Sequence, residues 1–258
     1  MIGVEQWESL MLQAEIQFGA DMIITRILLK RRSEFFMIKA VVFDAFDTLF
    51  KVEKGASAKY IINCITKSGH FIDEAEFHKA WKDYYVQNTV DSKEFKTERD
   101  IFTSRIRMFY DKYGLSRSAV TDANFLTDKS INRKAFDDVN PTLEYLKTKC
   151  SVYIGSNTDN DVLFEVMKNN GVAADKIYTS ESLMCYKPSK RFYETIVNEN
   201  GLHYDEVLFV GDSLIDDVFG PQQVNIKTCW LNRTGNTSKT IVPDYEIHGL
   251  TELRRIIR

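Results

Sequence analysis

Carboxylates follow two separate apolar runs of the sequence, at the points where the runs give way to turns. Asp44 stands in the segment FDAFDTL, and Asp212 follows the run LFVG, with Asp216 and Asp217 a few residues later. If these carboxylates meet at one edge of a sheet, their mutual repulsion either raises a pKa or requires a cation. A few hard oxygen ligands, with room for water and a phosphate, are typical of a Mg²⁺ site. We therefore predict bound magnesium, held by Asp44, Asp212 and one of the two later aspartates.

Two further segments supply groups that suit an anionic ligand. Ser156 and Asn157 offer a hydroxyl and an amide just before a predicted helix, whose N-terminus favours negative charge. Lys187 is followed by Pro188 at the start of another predicted helix, where a cation is unfavourable unless something anionic compensates it. Taken singly, Asp44 can equally be a turn residue, Ser156 a helix cap and Lys187 a solvated lysine. Their common position after apolar runs favours one shared site.

These polar segments are positioned by short apolar runs that alternate with helical patterns after Met37. Such alternation is typical of a parallel sheet covered on both faces. Right-handed crossovers then predict an α/β fold, a doubly wound Rossmann-like parallel sheet in which ligands bind beyond the carboxyl ends of the strands. Thr158 or Asp159 can cap a helix that ends at Gly171. The predicted strands are 38–43, 151–155, 176–179, 206–210 and 227–231.

Residues 51–136 interrupt the alternation, because they contain no strand-like run and their aromatic residues have helical spacing. We predict a helical cap domain inserted here, with residues 37–50 and 137–258 forming the catalytic core. The aromatic side chains suit the core of a helical bundle. Whether some of them line a substrate pocket instead stays open for Trp81, Tyr84 and Tyr85.

The composition favours a protein that acts on small molecules. Of the 258 residues 44% are hydrophobic, enough for one large core with a smaller module. Lys and Arg number 34 against 37 Asp and Glu, and this balance favours neither nucleic acid nor anionic lipid as a partner. The four cysteines and four histidines do not cluster, which argues against a zinc site or a disulfide framework. With no apolar run near the roughly 20 residues of a membrane span, we expect a cytoplasmic protein without membrane partners; the sequence leaves its oligomeric state open.

Residues 1–36 form an N-terminal extension that carries none of these motifs. One interpretation is an added amphipathic helix, since Trp7, Leu10, Met11 and Ala14 have helical spacing. The other is that translation starts at Met37, because codons for residues 31–33 can form a purine-rich ribosome-binding sequence. Under that hypothesis the extension is an artefact of the assigned start codon. The mass of the native protein distinguishes the two.

Together, the four polar segments resemble the motifs of the haloacid dehalogenase-like superfamily, and the resemblance covers the chain from about Met37 to its C-terminus. The inserted helices look like the helical cap that this superfamily places after its first motif, close to members that act as phosphatases or 2-haloacid dehalogenases. The resemblance implies that Asp44 is a nucleophile that becomes phosphorylated. It also implies that Ser156 and Lys187 bind the phosphoryl oxygens.

The same resemblance implies the remaining ligands. Magnesium would be bound by Asp44, the backbone carbonyl of Phe46 and Asp212, with Asp217, alone or with Asp216, orienting metal-bound water. Two further residues are expected to contact the substrate, namely Asn157 in the core and Lys82 in the cap.

Phe46 departs from the phosphatase pattern, in which an aspartate two residues after the nucleophile acts as general acid and base. Here Asp47 lies one residue further. General acid catalysis is worth roughly 100- to 10,000-fold, so phosphate esters of ordinary alcohols should react slowly. We therefore expect acyl or aryl phosphates, whose leaving groups need no proton, to be the preferred substrates.

The alternative takes Phe46 as the mark of a metal-independent 2-haloacid dehalogenase, because halide leaves without a proton and those enzymes carry an aromatic residue here. Two features oppose this alternative. The cap offers Lys82 where an arginine is expected, and lysine is the poorer carboxylate clamp. Asp212 adds a second carboxylate beside the nucleophile, and a cation is needed to offset the repulsion between the two negative charges. A third possibility is a binding or regulatory protein that kept the fold and lost efficient turnover.

Overall fold

One six-stranded parallel sheet organises the protein, whose computed structural model describes residues 37–90, 92–238 and 240–258. The N-terminal extension and its two interpretations lie outside the described residues. The strand order is β3-β2-β1-β4-β5-β6, which confirms the predicted α/β fold with a doubly wound parallel sheet. The strands are β1 (Ala40–Phe43), β2 (Ser151–Ser156), β3 (Lys176–Thr179), β4 (Val207–Gly211), β5 (Lys227–Leu231) and β6 (Tyr245–Ile247). The sequence does not predict β6, because only the last of its three residues is buried and no apolar run marks it.

Ten α-helices accompany the sheet in the described residues, together with short 3₁₀ turns and a π-helical turn at Leu214–Phe219. Those between β1 and β2 are α1 (Ala56–Lys67), α2 (Glu74–Thr89), α3 (Glu98–Lys112), α4 (Ala119–Ile131) and α5 (Val139–Lys147). The others are α6 (Asn160–Asn169), α7 (Ser180–Leu183), α8 (Lys190–Glu199), α9 (Gly220–Gln222) and α10 (Leu253–Ile256). Among the described residues, each helix is too short or too polar to traverse a lipid bilayer.

Alternate side chains of β1 face two different helical layers, because successive residues of a strand point to opposite faces. Val41 and Phe43 pack with apolar residues of α5, α6 and α10. Ala40 and Val42 pack with apolar residues of α8 on the other face. Both faces of the central strand are therefore buried, which is why its sequence reads as a continuous apolar run.

The four helices α1 to α4, called the insertion helices below, have an apolar cluster of their own. Ile61, Phe77, Ile106 and Phe109 belong to it, and Trp81 packs against it. The chain enters and leaves the insertion side by side, since Phe50 and Ala135 form an antiparallel bridge.

A second link joins the insertion to the sheet. Asp159 starts α6, as predicted, but its carboxylate accepts the backbone N–H groups of Glu98 and Arg99 at 2.7 and 2.9 Å. It thus caps the N-terminus of α3 and not that of its own helix, satisfying amides that otherwise lack partners.

Candidate functional site

Adjacent strands of the sheet bring the predicted motif residues together. Asp44 follows β1, Ser156 ends β2 and Asp212 follows β4, and these are the three central neighbours in the strand order. The Ser156 hydroxyl donates a hydrogen bond to Oδ1 of Asp44 at 3.3 Å. The backbone N–H of Asp44 donates to the carbonyl of Val210 at 2.9 Å, which fixes the end of β1 against β4. A parallel sheet places such strand ends at one edge, as the sequence predicts.

Lys187 reaches this edge from the loop before α8. Its ammonium nitrogen donates to Oδ1 of Asp44 and to Oδ1 of Asp217, both at 2.7 Å, and the side chain is only 2% exposed. Burial alone would lower the pKa of Lys187, but the charges of Asp217 and Asp44 outweigh burial and raise it. The lysine is therefore a buried cation that serves two carboxylates, and not a solvated surface residue.

Asn157 holds the backbone of Lys187 in place. The backbone N–H of Lys187 donates to Oδ1 of Asn157 at 2.8 Å, and Nδ2 of Asn157 donates back to the Lys187 carbonyl at 3.1 Å. The same residue also lines the cavity beside the site. Its expected contact with substrate stays a prediction, but its positioning of the lysine loop is visible in the structure.

Three carboxylates converge beside the lysine. Asp44, Asp212 and Asp217 each offer an oxygen atom, and these atoms lie within 4.8 Å of one another. Burial and the neighbouring charges of Asp44 and Asp47 raise the pKa of Asp212 to about 7. Burial also raises the pKa of Asp217, although Lys187 opposes the shift. Negative charge is thus more concentrated here than one ammonium can balance.

Asp217, and not Asp216, belongs to this carboxylate group. Oδ2 of Asp217 accepts the backbone N–H of Ser213 at 3.0 Å while Oδ1 accepts from Lys187. Gly211 makes room for it, because a Cβ at that position would lie 2.2 Å from Oδ2 of Asp217. The carbonyl of Asp216 accepts the Tyr193 hydroxyl at 2.5 Å. The sequence leaves open which of the two aspartates joins the group, and the π-helical turn places Asp217 there.

Two residues that the sequence analysis did not single out support Asp212. The Thr48 hydroxyl accepts the backbone N–H of Asp212 at 3.1 Å, and Nε1 of Trp230 donates to the Asp212 carbonyl at 3.0 Å. Thr48 lies in the same polar segment as Asp44 and follows it by four residues, so its position was a usable signal. Trp230 offers no such signal, because its role depends on the neighbouring strand β5.

The oxygen atoms at this edge fit a small divalent cation. Asp44 and Asp212 supply carboxylate oxygens, and the carbonyl of Phe46 receives no backbone N–H from the described residues. Both Asp217 oxygens are engaged by Lys187 and Ser213, which suits an indirect role through water. Oxygen ligands few in number are those that Mg²⁺ prefers.

The side chains of Phe46 and Asp47 lie in different environments. The Phe46 ring lines the adjacent cavity, and the Arg133 guanidinium lies 4.5 Å from its centroid. Asp47 forms an ion pair with Lys54 at 2.5 Å, and Lys54 also lies 4.0 Å from Asp212. Asp47 is therefore paired with a lysine instead of being a free acid beside the nucleophile.

A cavity of about 320 Å³ adjoins the site between the sheet and the insertion helices. Arg105 of α3 lines it, with its guanidinium 3.8 Å from the Trp81 ring, whereas Lys82 is exposed and is not among the lining residues. Neighbouring residues of a helix point about 100° apart, so the position next to Trp81 does not share its orientation. Tyr85 lines the cavity, and Trp81 packs against the insertion core.

Comparisons with known proteins find similar hydrolases. The chain is 26% identical over 227 residues to the (S)-2-haloacid dehalogenase of Pseudomonas sp. (strain YL), covering 85% of this chain and 93% of that enzyme. It is 23% identical over 190 residues to the pyrimidine 5'-nucleotidase PynA of Streptococcus pneumoniae, covering 68% of this chain and 78% of the nucleotidase. The crystal structure of the putative HAD-hydrolase YfnB of Bacillus subtilis, bound to magnesium, superimposes with a TM-score of 0.67 at 19% identity, covering 86% of this chain and 99% of that one.

A family model matches most of the chain. The model of haloacid dehalogenase-like hydrolases matches residues 38–225, which include all four predicted motif segments. The match, the parallel sheet and the convergence of the motif residues agree with the resemblance drawn from the sequence. The chain belongs to the haloacid dehalogenase-like hydrolases.

Proposed function

We propose that this protein is a cytoplasmic, magnesium-dependent phosphatase that hydrolyses a small phosphorylated metabolite through a phosphorylated Asp44. The observation that carries the proposal is the approach of Asp212 to Asp44 and Asp217 within 4.8 Å, with a pKa of Asp212 raised to about 7. Lys187 balances one of these charges, whereas Lys54, 4.0 Å from Asp212, is largely exposed and already forms an ion pair with Asp47. A bound Mg²⁺ would supply the missing positive charge and offset the charge of the phosphoryl group.

The geometry of Asp44 suits in-line attack on phosphorus. Its Oδ1 accepts from both Lys187 and Ser156, so Oδ2 is the oxygen available to form the bond to phosphorus as the bond to the leaving oxygen breaks. Lys187 and Ser156 then offer their donors to the equatorial phosphoryl oxygens. Water hydrolyses the acyl phosphate, which releases phosphate and regenerates Asp44. The insertion helices act as the cap that selects substrate and excludes bulk water.

Phe46 limits which leaving groups this site can expel. No carboxylic acid stands two residues after Asp44, and Asp47 is paired with Lys54. A leaving alkoxide therefore departs without a proton from these residues, which is slow. Acyl and aryl phosphates need no such proton, and they are the substrates we propose.

A 2-haloacid dehalogenase is the second candidate, and two observations favour it. Phe46 matches the aromatic residue of that branch. The arginine that was expected at Lys82 is replaced by Arg105, whose guanidinium lines the cavity. The structure thus removes one objection that the sequence raised. The objection from Asp212 stands, because a halide displacement has no need of a third carboxylate beside the nucleophile.

The test is the release of phosphate from acetyl phosphate and 4-nitrophenyl phosphate, and of chloride from (S)-2-chloropropionate, with Mg²⁺ and with chelator. The proposal expects phosphate release that disappears with chelator and in Asp44→Asn. Chloride release that persists in chelator would establish the dehalogenase instead. Tight binding of phosphate without turnover of any compound would select the binding protein.

A further inference from the structure

The cavity beside Asp44 has the position and size of a pocket for the part of the substrate that is not transferred. Phe46 and Asn157 line the wall of the cavity next to the motif residues, and insertion-helix residues line the opposite wall. Its volume of about 320 Å³ is at the small end for ligand sites. A pocket of this size suits a small substrate, and the charged side chains that line it would determine which charge that substrate carries.

Arg105 presents a buried donor that has no acceptor. One of its terminal nitrogens donates to the Trp81 carbonyl at 3.1 Å, and its guanidinium stacks on the Trp81 ring. Its Nε is buried and has no hydrogen-bond partner among the described residues. Burial lowers the pKa of Arg105 to about 10, so the side chain is still a cation at neutral pH. An unmatched buried donor of this kind is costly unless a ligand satisfies it.

Arg133 adds a second guanidinium to the same cavity. It lies over the Phe46 ring at 4.5 Å, and within the described part of the chain it forms no ion pair. Burial lowers the pKa of Arg133, while the charges of Glu98 and Asp47 oppose the shift. Both guanidinium groups therefore line one cavity, Arg105 from α3 and Arg133 from the segment after α4.

The other charged groups of the cavity are largely compensated. Arg99 is paired with Asp161 at 2.5 Å, and the Asp159 carboxylate is taken up by the amides at the start of α3. Glu98 accepts the Tyr85 hydroxyl at 2.9 Å. Arg105 and Arg133 thus share the cavity lining with the carboxylates of Glu98 and Asp159, and within the described residues neither arginine forms an ion pair with them.

A neighbouring cavity is also lined mainly by cationic side chains. A second cavity of about 440 Å³ shares Ser57, Ser130 and Arg133 with the first. Its lining has one carboxylate, that of Glu53, and three lysines, Lys51, Lys59 and Lys129, of which Lys51 forms an ion pair with Asp137 at 3.6 Å. Such a lining raises the local concentration of anions.

We propose that Arg105 and Arg133 bind a carboxylate of the substrate, so that the substrate is a small phosphorylated carboxylic acid. Beside Glu98 and Asp159, a carboxylate monoanion brings less negative charge into the cavity than a second phosphate dianion would. The planar guanidinium fits a carboxylate with two parallel hydrogen bonds. The inference rests on the proposed function only in that the phosphate lies at Asp44.

The turnover test compares 4-carboxyphenyl phosphate with phenyl phosphate in the magnesium-loaded protein. We expect the ratio of their kcat/KM values to fall by about 10- to 100-fold in Arg105→Gln and in Arg133→Gln, the loss of a hydrogen bond to a charged group. Arg107→Gln is the matched control, because Arg107 is exposed on the same helix. An unchanged ratio in both cavity variants, or an equal loss on both substrates, overturns the inference.

Binding without turnover separates this inference from the proposed function. Calorimetry with 3-phosphonopropionate and with ethylphosphonate is expected to show preference for the first compound in the wild type and in Arg107→Gln, and a lost preference in Arg133→Gln. If no phosphate ester is hydrolysed but this pattern holds, the proposed function fails and the carboxylate site stands. If phosphatase activity is present without a carboxylate preference, the inference fails alone. Arg133→Gln decides the matter if melting curves show that Arg105→Gln does not fold.

Discussion

The ammonium of Lys187 lies 2.7 Å from Oδ1 of Asp44, although 143 positions separate the two residues in the sequence. The same nitrogen lies 2.7 Å from Oδ1 of Asp217. One buried cation thus holds together the nucleophile after β1 and the acidic turn after β4, and the consequences of removing it can be stated.

Lys187→Met leaves Asp44 and Asp217 buried without their shared counter-ion. We expect the free energy of unfolding to fall by about 3–5 kcal/mol, the usual cost of breaking a buried pair on one side. Urea unfolding in chelator measures it. Lys190→Met, at an exposed position of α8, should leave stability unchanged. Asp217→Asn added to Lys187→Met should recover part of the loss, and full stability of the single variant would contradict the account.

Asp212→Asn removes the carboxylate whose pKa is raised to about 7 by burial and by Asp44. Because a ligand stabilises the state it binds, by about 2.7 kcal/mol at a hundredfold excess over Kd, Mg²⁺ should raise the Tm of the wild type. It should not raise the Tm of Asp212→Asn. Asp137→Asn, at an exposed aspartate, should respond like the wild type. Equal stabilisation of Asp212→Asn by Mg²⁺ would remove Asp212 from the metal site.

Phe46→Asp places a carboxylic acid two residues after the nucleophile. The phosphatase proposal expects turnover of an alkyl phosphate such as glycerol phosphate to rise by roughly 100-fold or more, since a general acid then protonates the leaving oxygen. The rate on 4-nitrophenyl phosphate should change much less. Phe46→Leu controls for loss of the aromatic ring beside Arg133. No gain on the alkyl phosphate in Phe46→Asp would show that leaving-group protonation is not the limit.

The raised pKa of Glu98 predicts that the stability of the protein depends on pH. Burial, with a contribution from Asp159, raises the pKa of Glu98 from its usual 4.5 to about 7. The native state therefore retains a proton that the unfolded chain releases, and stability falls as the pH rises from about 4.5 to about 7. Glu98→Gln cannot titrate, so its stability relative to the wild type should increase across that range, by at most about 3.5 kcal/mol at about 1.4 kcal/mol per pKa unit.

Urea unfolding at several pH values between 5 and 8 measures this difference. Glu94→Gln, which changes an exposed carboxylate in the segment before α3, should follow the wild type at every pH. A constant difference between Glu98→Gln and the wild type would mean that Glu98 is ionised throughout the range.

Much of the fold and part of the site follow from local patterns. The buried run at β1 and its counterparts are confirmed as parallel strands, because a strand buried on both faces must be apolar throughout. The strand-end rule correctly predicted that Asp44, Ser156 and Asp212 lie together, since adjacent parallel strands end at one edge. Lys187 could be expected there because a cation at a helix start needs an anion.

Other features depend on tertiary packing alone. Asp217 is chosen over Asp216 by the π-helical turn, Arg105 faces the cavity where Lys82 does not, and Asp159 caps the distant helix α3. Each outcome depends on how one helix is rotated or shifted against another, and a rotation of one residue moves a side chain by about 100°. The types of chemical group present were therefore determined by the sequence, and which of them share a pocket was decided by the packing of insertion helices against the sheet.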